Sequence, residues 1–185
     1  MDELIASVRR RLSARSPKRL ESRLRPAAVL VPIIVSPEGC RLLFTRRASN
    51  LRRQPGEIAF PGGAVDPGDA TPLETALRES REEIGLAPHD VTLLGEMDER
   101  DTVTGFCITP FVGAVEGPYR FRPNHEVDVL FEVPIEALRS PAALRVEQRK
   151  LGDGRRREIY HYRYGAHDIW GITGRLVADF LTLVD

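Results

Sequence analysis

Several residue types are scarce here, and each shortage removes a class of function. The only cysteines are Cys40 and Cys107. Neither has metal-ligand spacing, and both sit in apolar, strand-like contexts, so buried free thiols in a reducing cytosol are expected. No run approaches ~18 consecutive apolar residues, which leaves no transmembrane helix. The first twenty residues lack the apolar core of a signal peptide, and the final Leu183-Val184-Asp185 is not a peroxisomal address. A cytoplasmic location is the expectation. Net charge is also missing: 27 Lys and Arg balance 27 Asp and Glu. No global field draws the chain to nucleic acid or a membrane surface, and no long basic run follows Arg25. Lysine is nearly absent, with Lys18 and Lys150 alone among the arginines. A GC-rich genome explains that skew most simply; arginine's fitness for phosphate is the other reason.

What remains is an ordinary globular composition, 42% hydrophobic and 29% charged over 185 residues, enough for one domain with a proper core plus a short appendage. Residues 1–25 read as an amphipathic helix, with Leu4, Ile5, Val8 and Leu12 at helical spacing, followed by a basic linker. Packing on the domain is its expected role. Residues 26–185 read as the main domain. Strands are expected at Ala27 to Val35 and Arg41 to Thr45 around a Pro37-Glu38-Gly39 turn, at Glu57 to Phe60, Val91 to Met97, Gly105 to Glu116 and Val127 to Val133. A Pro134-led helix, a hairpin of Leu144 to Lys150 with Glu158 to Tyr164 around Gly152-Asp153-Gly154, and an amphipathic helix from Ile172 to Val184 complete the chain. Strands with interspersed helices point to an α/β sandwich on a mixed sheet.

The most informative segment is Arg78-Glu79-Ser80-Arg81-Glu82-Glu83-Ile84-Gly85. Thr71 is a good N-cap, Pro72 suits the first helical position, Glu74 completes a capping box and Gly85 suits a left-handed stop. On that helix Glu79, Glu82 and Glu83 share one face, while Leu73, Leu77, Ser80 and Ile84 form a mostly apolar stripe for the core. Three like charges together gain nothing unless a cation sits between them, and a hard divalent ion such as Mg²⁺ or Mn²⁺ prefers oxygen ligands. The other reading is a solvated face whose glutamates pair with Arg78 and Arg81.

Directly upstream lies Phe60-Pro61-Gly62-Gly63-Ala64-Val65-Asp66, where adjacent glycines permit a sharp turn and close backbone approach to a ligand. A glycine loop running into an acidic helix resembles the Nudix box. Its second half matches at Arg78 to Leu86, with Ser80 replacing an apolar residue. Its isolated glutamate falls on Ala70, and the nearest acid, Asp69, is one place off register, as if the loop were one residue longer. In the family that glutamate usually supports the arginine. Leu43, Thr45, Arg47, Ala48, Arg52, Gly56 and Phe60 to Gly63 further resemble the signature of the coenzyme A pyrophosphatase branch, with Phe44 as the one substitution. The likeness extends over about Ala27 to Leu183.

The resemblance implies a Nudix fold, an α/β architecture with a mixed β-sheet sandwiched between helices, and metal-dependent hydrolysis of coenzyme A or its thioesters at the pyrophosphate. Glu79, Glu82 and Glu83 would hold Mg²⁺ or Mn²⁺, with a carbonyl from Gly62 or Gly63, and Arg78 would orient a neighbouring carboxylate. Glu126, within Asn124-His125-Glu126-Val127, is the first candidate for the base; Glu96, Asp98 and Glu99 are reserves, and His125 is expected to be merely exposed. Arg47 and Arg52 have the planar fork that suits phosphate, whereas Arg46 and Arg53 are expected to be solvated. Trp170 and Phe111 could stack on adenine, but their apolar surroundings favour core packing. The alternatives are a Nudix hydrolase of another nucleoside diphosphate compound, such as ADP-ribose or a nucleoside triphosphate, and a non-catalytic nucleotide-binding module. The expected partner is a small molecule, with no nucleic acid or membrane, and the chain acting as monomer or homodimer.

Overall fold

The computed structural model describes residues 2–50, 54–150, 154 and 156–184. In chain order the elements are α1 (Asp2–Ser13), β1 (Arg25–Ser36), β2 (Gly39–Arg47), β3 (Ile58–Ala59), β4 (Gly62–Ala64), α2 (Pro72–Ile84), β5 (Val91–Glu96), β6 (Arg100–Asp101), β7 (Phe106–Glu116), β8 (Val127–Pro134), α3 (Ile135–Arg139), β9 (Leu144–Lys150), β10 (Arg156–Tyr164), β11 (His167–Ile169) and α4 (Gly171–Leu181).

β1 is the organising strand. Its run from Ala27 to Val35 is apolar almost without interruption because both of its faces are covered. It pairs parallel with β7 and antiparallel with β2 and β4, which makes the eight-stranded sheet mixed. The path runs β3-β2-β1-β7-β5, with β8 beside β2 and β6 beside β7. One face carries Ala28, Leu30, Ile34 and Leu43, against which α2 sets Ala76 and Ile84. The other carries Val31, Ile33, Leu42 and Phe44, which pack with α1, α3 and α4. A separate antiparallel sheet of β9, β10 and β11 joins that second layer through Tyr162 and Ile169. This is the sandwich of helices about a mixed sheet that the sequence led us to expect. Phe44 stacks between Phe60 and Phe131, with ring centroids 4.8 and 5.5 Å away.

The arm at the start of the chain packs on this body. Val8 and Leu12 of α1 are buried in the second layer. The linker after it straps an acidic segment: Arg15 pairs with Asp98 at 2.5 Å, the Lys18 N–H donates to Asp98 at 2.8 Å, and the Leu20 N–H donates to Glu99 at 2.7 Å. Arg19 reaches both Glu96 and Glu99. The three reserve acids are therefore committed to holding the linker.

Three further expectations change. The buried face of α2 is Thr75, Ala76, Ser80, Glu83 and Ile84, while Leu73 and Leu77 are only half-buried. Small side chains let the helix approach the sheet, and the two hydroxyls are satisfied locally, Ser80 donating to the Ala76 carbonyl at 2.7 Å and Thr75 to Asp69 at 2.8 Å. The cysteines are half-buried rather than buried, and desolvation pushes both thiols up. Phe111 is in the core, but Trp170 is 44% exposed, because it sits at the turn from β11 into α4 with its ring outside the packed layer. No helix among the described residues is long and apolar enough to cross a membrane.

Candidate active site

The local signals of α2 behave as the sequence dictates. Thr71 accepts from the Glu74 N–H at 3.2 Å, Pro72 opens the helix, and Gly85 closes it at φ +69°. Glu79 and Glu83 then lie against the glycine turn, and Glu82 beside Arg78. The segment 122–126 is clipped to the end of the helix: the Arg122 N–H donates to the Ile84 carbonyl and the Asn124 N–H to the Glu83 carbonyl, both at 2.8 Å. The Asn124 side chain accepts from the Glu126 N–H at 2.8 Å, and the Ala48 N–H donates to the Glu126 carbonyl at 2.8 Å. Glu126 is thereby fixed beside the end of β2.

Glu83 is 6% exposed. One oxygen accepts the Gly62 N–H at 3.1 Å, and the other lies 3.8 Å from Arg47 Nη1. Burial pushes its carboxyl up to about 7; the Gly62 N–H and Arg47 oppose this, while Glu79 and Glu126 add to it. Arg47 also approaches Glu126 at 3.6 Å, so one guanidinium spans two carboxylates. Its Nε is buried and lacks a hydrogen-bond partner among the described residues.

Arg78 organises the other half. It makes a bidentate pair with Asp69, Nε to Oδ1 and Nη2 to Oδ2, each 2.9 Å. Its Nη1 donates to Glu79 at 2.9 Å and to Glu82 at 3.2 Å. The guanidinium holds the Asp69 carboxyl well below the usual carboxylate range, and Asp69 in turn holds Arg78 above its own. Burial raises Glu79. The one-residue shift in the loop is thus absorbed by Asp69, which takes the supporting contact from one position earlier.

The NUDIX domain family matches residues 24–153. The chain is 42% identical over 157 residues to the "Uncharacterized Nudix hydrolase NudL" of Pectobacterium atrosepticum, covering 83% of this chain and 79% of that protein. This chain belongs to the Nudix family. Among solved structures, the Nudix hydrolase RenU of M. smegmatis superposes with a TM-score of 0.53 at 25% identity, over 62% of this chain and 73% of that one. A C. elegans Ap4A hydrolase complex shares the fold, with a TM-score of 0.53 at 20% identity, over 60% of this chain and 80% of that one. As a Nudix hydrolase the chain is a pyrophosphohydrolase, acting on nucleoside diphosphate-linked small molecules.

Nudix hydrolases generally use divalent metal ions such as Mg²⁺ or Mn²⁺, and the residues here fit one in donor type and charge. Glu83 is a buried carboxylate with a single N–H donor and an arginine too distant for a hydrogen bond, and two further carboxylates raise its cost. A cation would relieve that imbalance. Gly63 leaves room for the Glu79 carboxylate beside the turn: a Cβ there would lie 2.5 Å from Glu79 Oε1. The glutamates do not form a closed cage, however. Among the described residues no three acidic, histidine or cysteine side chains converge on one point, because Arg78 draws Glu79 and Glu82 towards itself. Glu82 is the most open of the three, with a half-exposed side chain.

Of the residues singled out from sequence, Arg78, Glu79, Glu82, Glu83, Gly62, Gly63, Glu126 and Arg47 come together. Arg52 and Arg53 lie outside the described residues. His125 is exposed, as expected, whereas Arg46 pairs with Asp128 at 2.9 Å rather than standing solvated. Arg47, read from sequence only as a phosphate contact, also steadies two carboxylates.

Asp69 offers a direct test of the Arg78 support. Its side chain is 7% exposed, and Asp69→Ala removes two charge-assisted bonds, for an expected loss on the order of 1–3 kcal/mol at pH 7. Because the folded carboxyl lies below its unfolded value of about 3.9, the wild type keeps this contribution above that value and loses it as pH falls. Urea melts should show the gap between the two proteins narrowing from pH 7 to pH 3. A gap that stays constant would count against the pair.

Proposed function

We propose that the chain hydrolyses the pyrophosphate bond of coenzyme A or its thioesters, giving 4′-phosphopantetheine or its acyl form and adenosine 3′,5′-bisphosphate. Residues 26–185 form the catalytic domain, and residues 1–25 are its helical arm. The observation that carries the substrate assignment is Arg47: the arginine of the coenzyme A-like signature stands between Glu83 and Glu126, 3.8 and 3.6 Å away, with its side chain still partly exposed. A guanidinium so placed can meet a phosphate oxygen at the point where the carboxylates meet their cation.

In this reading Glu79, Glu82, Glu83 and a Gly63 carbonyl hold Mg²⁺ or Mn²⁺. When bound, such an ion offsets the charge of the diphosphate and lowers the pKa of a coordinated water. Arg78 keeps Glu79 and Glu82 oriented and does not touch substrate. Glu126, partly exposed beside Arg47, accepts the proton of the attacking water or completes the shell around the cation. Gly62 fixes Glu83 through its N–H.

A substrate panel tests the assignment. Coenzyme A and an acyl thioester should be cleaved with kcat/KM at least about tenfold (roughly 1.4 kcal/mol) above ADP-ribose and nucleoside triphosphates. Equal turnover of all compounds, or a preference for ADP-ribose, would remove the coenzyme A claim and leave the family activity standing.

A further inference from the structure

A second region of the molecule has the shape and charge of a ligand site. Between β3, the turn after β6 and the sheet β9–β11 with α4 lies a cavity of about 610 Å³, within the roughly 300–1,000 Å³ of small-molecule pockets. The wall it takes from β10, Trp170 and α4 lies beyond residue 153, where the family match ends.

The lining is rich in arginine. Arg149, Arg156 and Arg157 come from the small sheet, with Arg100 and Arg175 behind them, against three acids, Glu57, Asp101 and Glu158. Arg100 and Arg175 are spent on a single carboxylate, Asp179, at 2.7 and 3.0 Å. Glu158 is likewise occupied, by the Tyr160 hydroxyl at 2.7 Å and Gln148 at 3.1 Å. Arg157 donates to the Asp101 carbonyl at 3.1 Å, which ties β10 to β6 and fixes its guanidinium across the cavity. Arg149 and Arg156 are exposed. Arg149 also reaches Glu147 at 3.5 Å, and all three arginines keep further donors, which suits an anion with several oxygens.

One wall is flat and aromatic. Trp170 lines the cavity, is 44% exposed, and is backed by the His161 ring, parallel to within 6° at 5.9 Å. A backed indole with one open face is a stacking platform for a planar base.

The cavity is also a short length of chain from the carboxylate site. Ile58 is part of its lining, and the Thr173 hydroxyl anchors the Ile58 carbonyl at 2.9 Å. Gly62, whose N–H meets Glu83, follows four residues later, at most about 14 Å of extended chain away. One dinucleotide-sized molecule can reach both.

We infer that this cavity receives the nucleoside end of the substrate, with the base against Trp170 and a phosphate monoester outside the scissile bridge held by Arg149, Arg156 and Arg157. The inference rests on the proposed function for the identity of that end, a 3′-phosphorylated adenosine. It assigns substrate selection to β9, β10 and Trp170, at and beyond the end of the matched family domain.

Trp170 is the only tryptophan, so its fluorescence reports on this cavity alone. Titration with adenosine 3′,5′-bisphosphate should quench it saturably. Adenosine, which lacks phosphate, should bind at least tenfold more weakly. Arg149→Glu and Arg156→Glu, at exposed positions that the fold does not need, should each raise the apparent Kd at least fivefold. The absence of a quench up to millimolar ligand, or a quench indifferent to both arginine variants, overturns the inference. The two readings fail separately. Coenzyme A turnover with no quench keeps the function and removes the cavity. An arginine-dependent quench with no coenzyme A turnover keeps the cavity and removes the substrate.

Discussion

Replacing Glu83 with glutamine is expected to lower turnover about 100- to 1,000-fold, the scale seen when one charge-stabilising group leaves an active site, while the protein stays folded. Glutamine preserves the shape, and its carbonyl can still accept the Gly62 N–H that Glu83 accepts at 3.1 Å. What it removes is charge. Glu83 is a nearly fully buried carboxylate whose arginine neighbour stands at 3.8 Å, with Glu79 and Glu126 working against it. Fold stability alone does not favour that arrangement, since a buried carboxylate without a close partner is costly. In the metal-free protein the substitution should therefore leave Tm unchanged or raise it, the pattern expected where stability has been traded for activity. Steady-state kinetics and a thermal melt on the same preparations check both halves. Wild-type turnover would sink the assignment of Glu83 to the reaction. A large fall in Tm would make Glu83 a structural residue instead.

The second large effect separates two adjacent glycines. Gly62 pairs with Val29 across β4 and β1, and a Cβ on it would lie 2.4 Å from the Ala28 carbonyl oxygen and 2.6 Å from Val29 Cα. Backbone atoms of a central strand cannot step aside, so Gly62→Ala should cost about 3 kcal/mol or more. For a domain of this size that lowers Tm by roughly 6–12 °C. At Gly63 the obstacle is the Glu79 carboxylate, at 2.5 Å, which is the far end of a flexible side chain. Gly63→Ala should therefore keep most of its stability but swing Glu79 away and lose at least about tenfold in kcat, the scale of a misplaced catalytic group. Melting curves and rates for the two variants should show opposite rankings. If both lose stability alike, the turn is only scaffolding.

How much of this was legible in the sequence depends on how local each signal is. The ends of α2 are written in Thr71, Pro72 and Gly85, because capping and left-handed stops involve neighbours only. β1, β2, β3, β5, β7 and β8 carry apolar residues between turn residues, and their positions followed from that. β4 did not, because Gly62-Gly63-Ala64 has poor strand propensity and is held by register against Ala27 to Val29 rather than by its own preference. β6 and β11 are too short to leave a pattern. At the site, the acidic face and the glycine turn were readable, and Asp69 stood one position away from where the family pattern looks for it. That Arg47 would lie between Glu83 and Glu126 was not readable, since it depends on how the segment 122–126 is clipped to α2. The arginines of the small sheet gave no signal either. Arg156 and Arg157 are neighbours on β10 and Arg149 sits opposite Arg157 on β9, but only the third dimension brings them beside Trp170.

The first and last helices complete a single apolar layer: Val8 and Leu12 lie in the same cluster as Leu176, Val177 and Phe180, and Arg11 donates to the Thr182 carbonyl at 3.3 Å. Ribosomal synthesis therefore cannot yield the finished core until α4 has emerged, so the nascent chain must carry an unfinished hydrophobic surface for most of its elongation. Contacts spanning more than 160 residues also place folding on the slower side of the range set by chain topology.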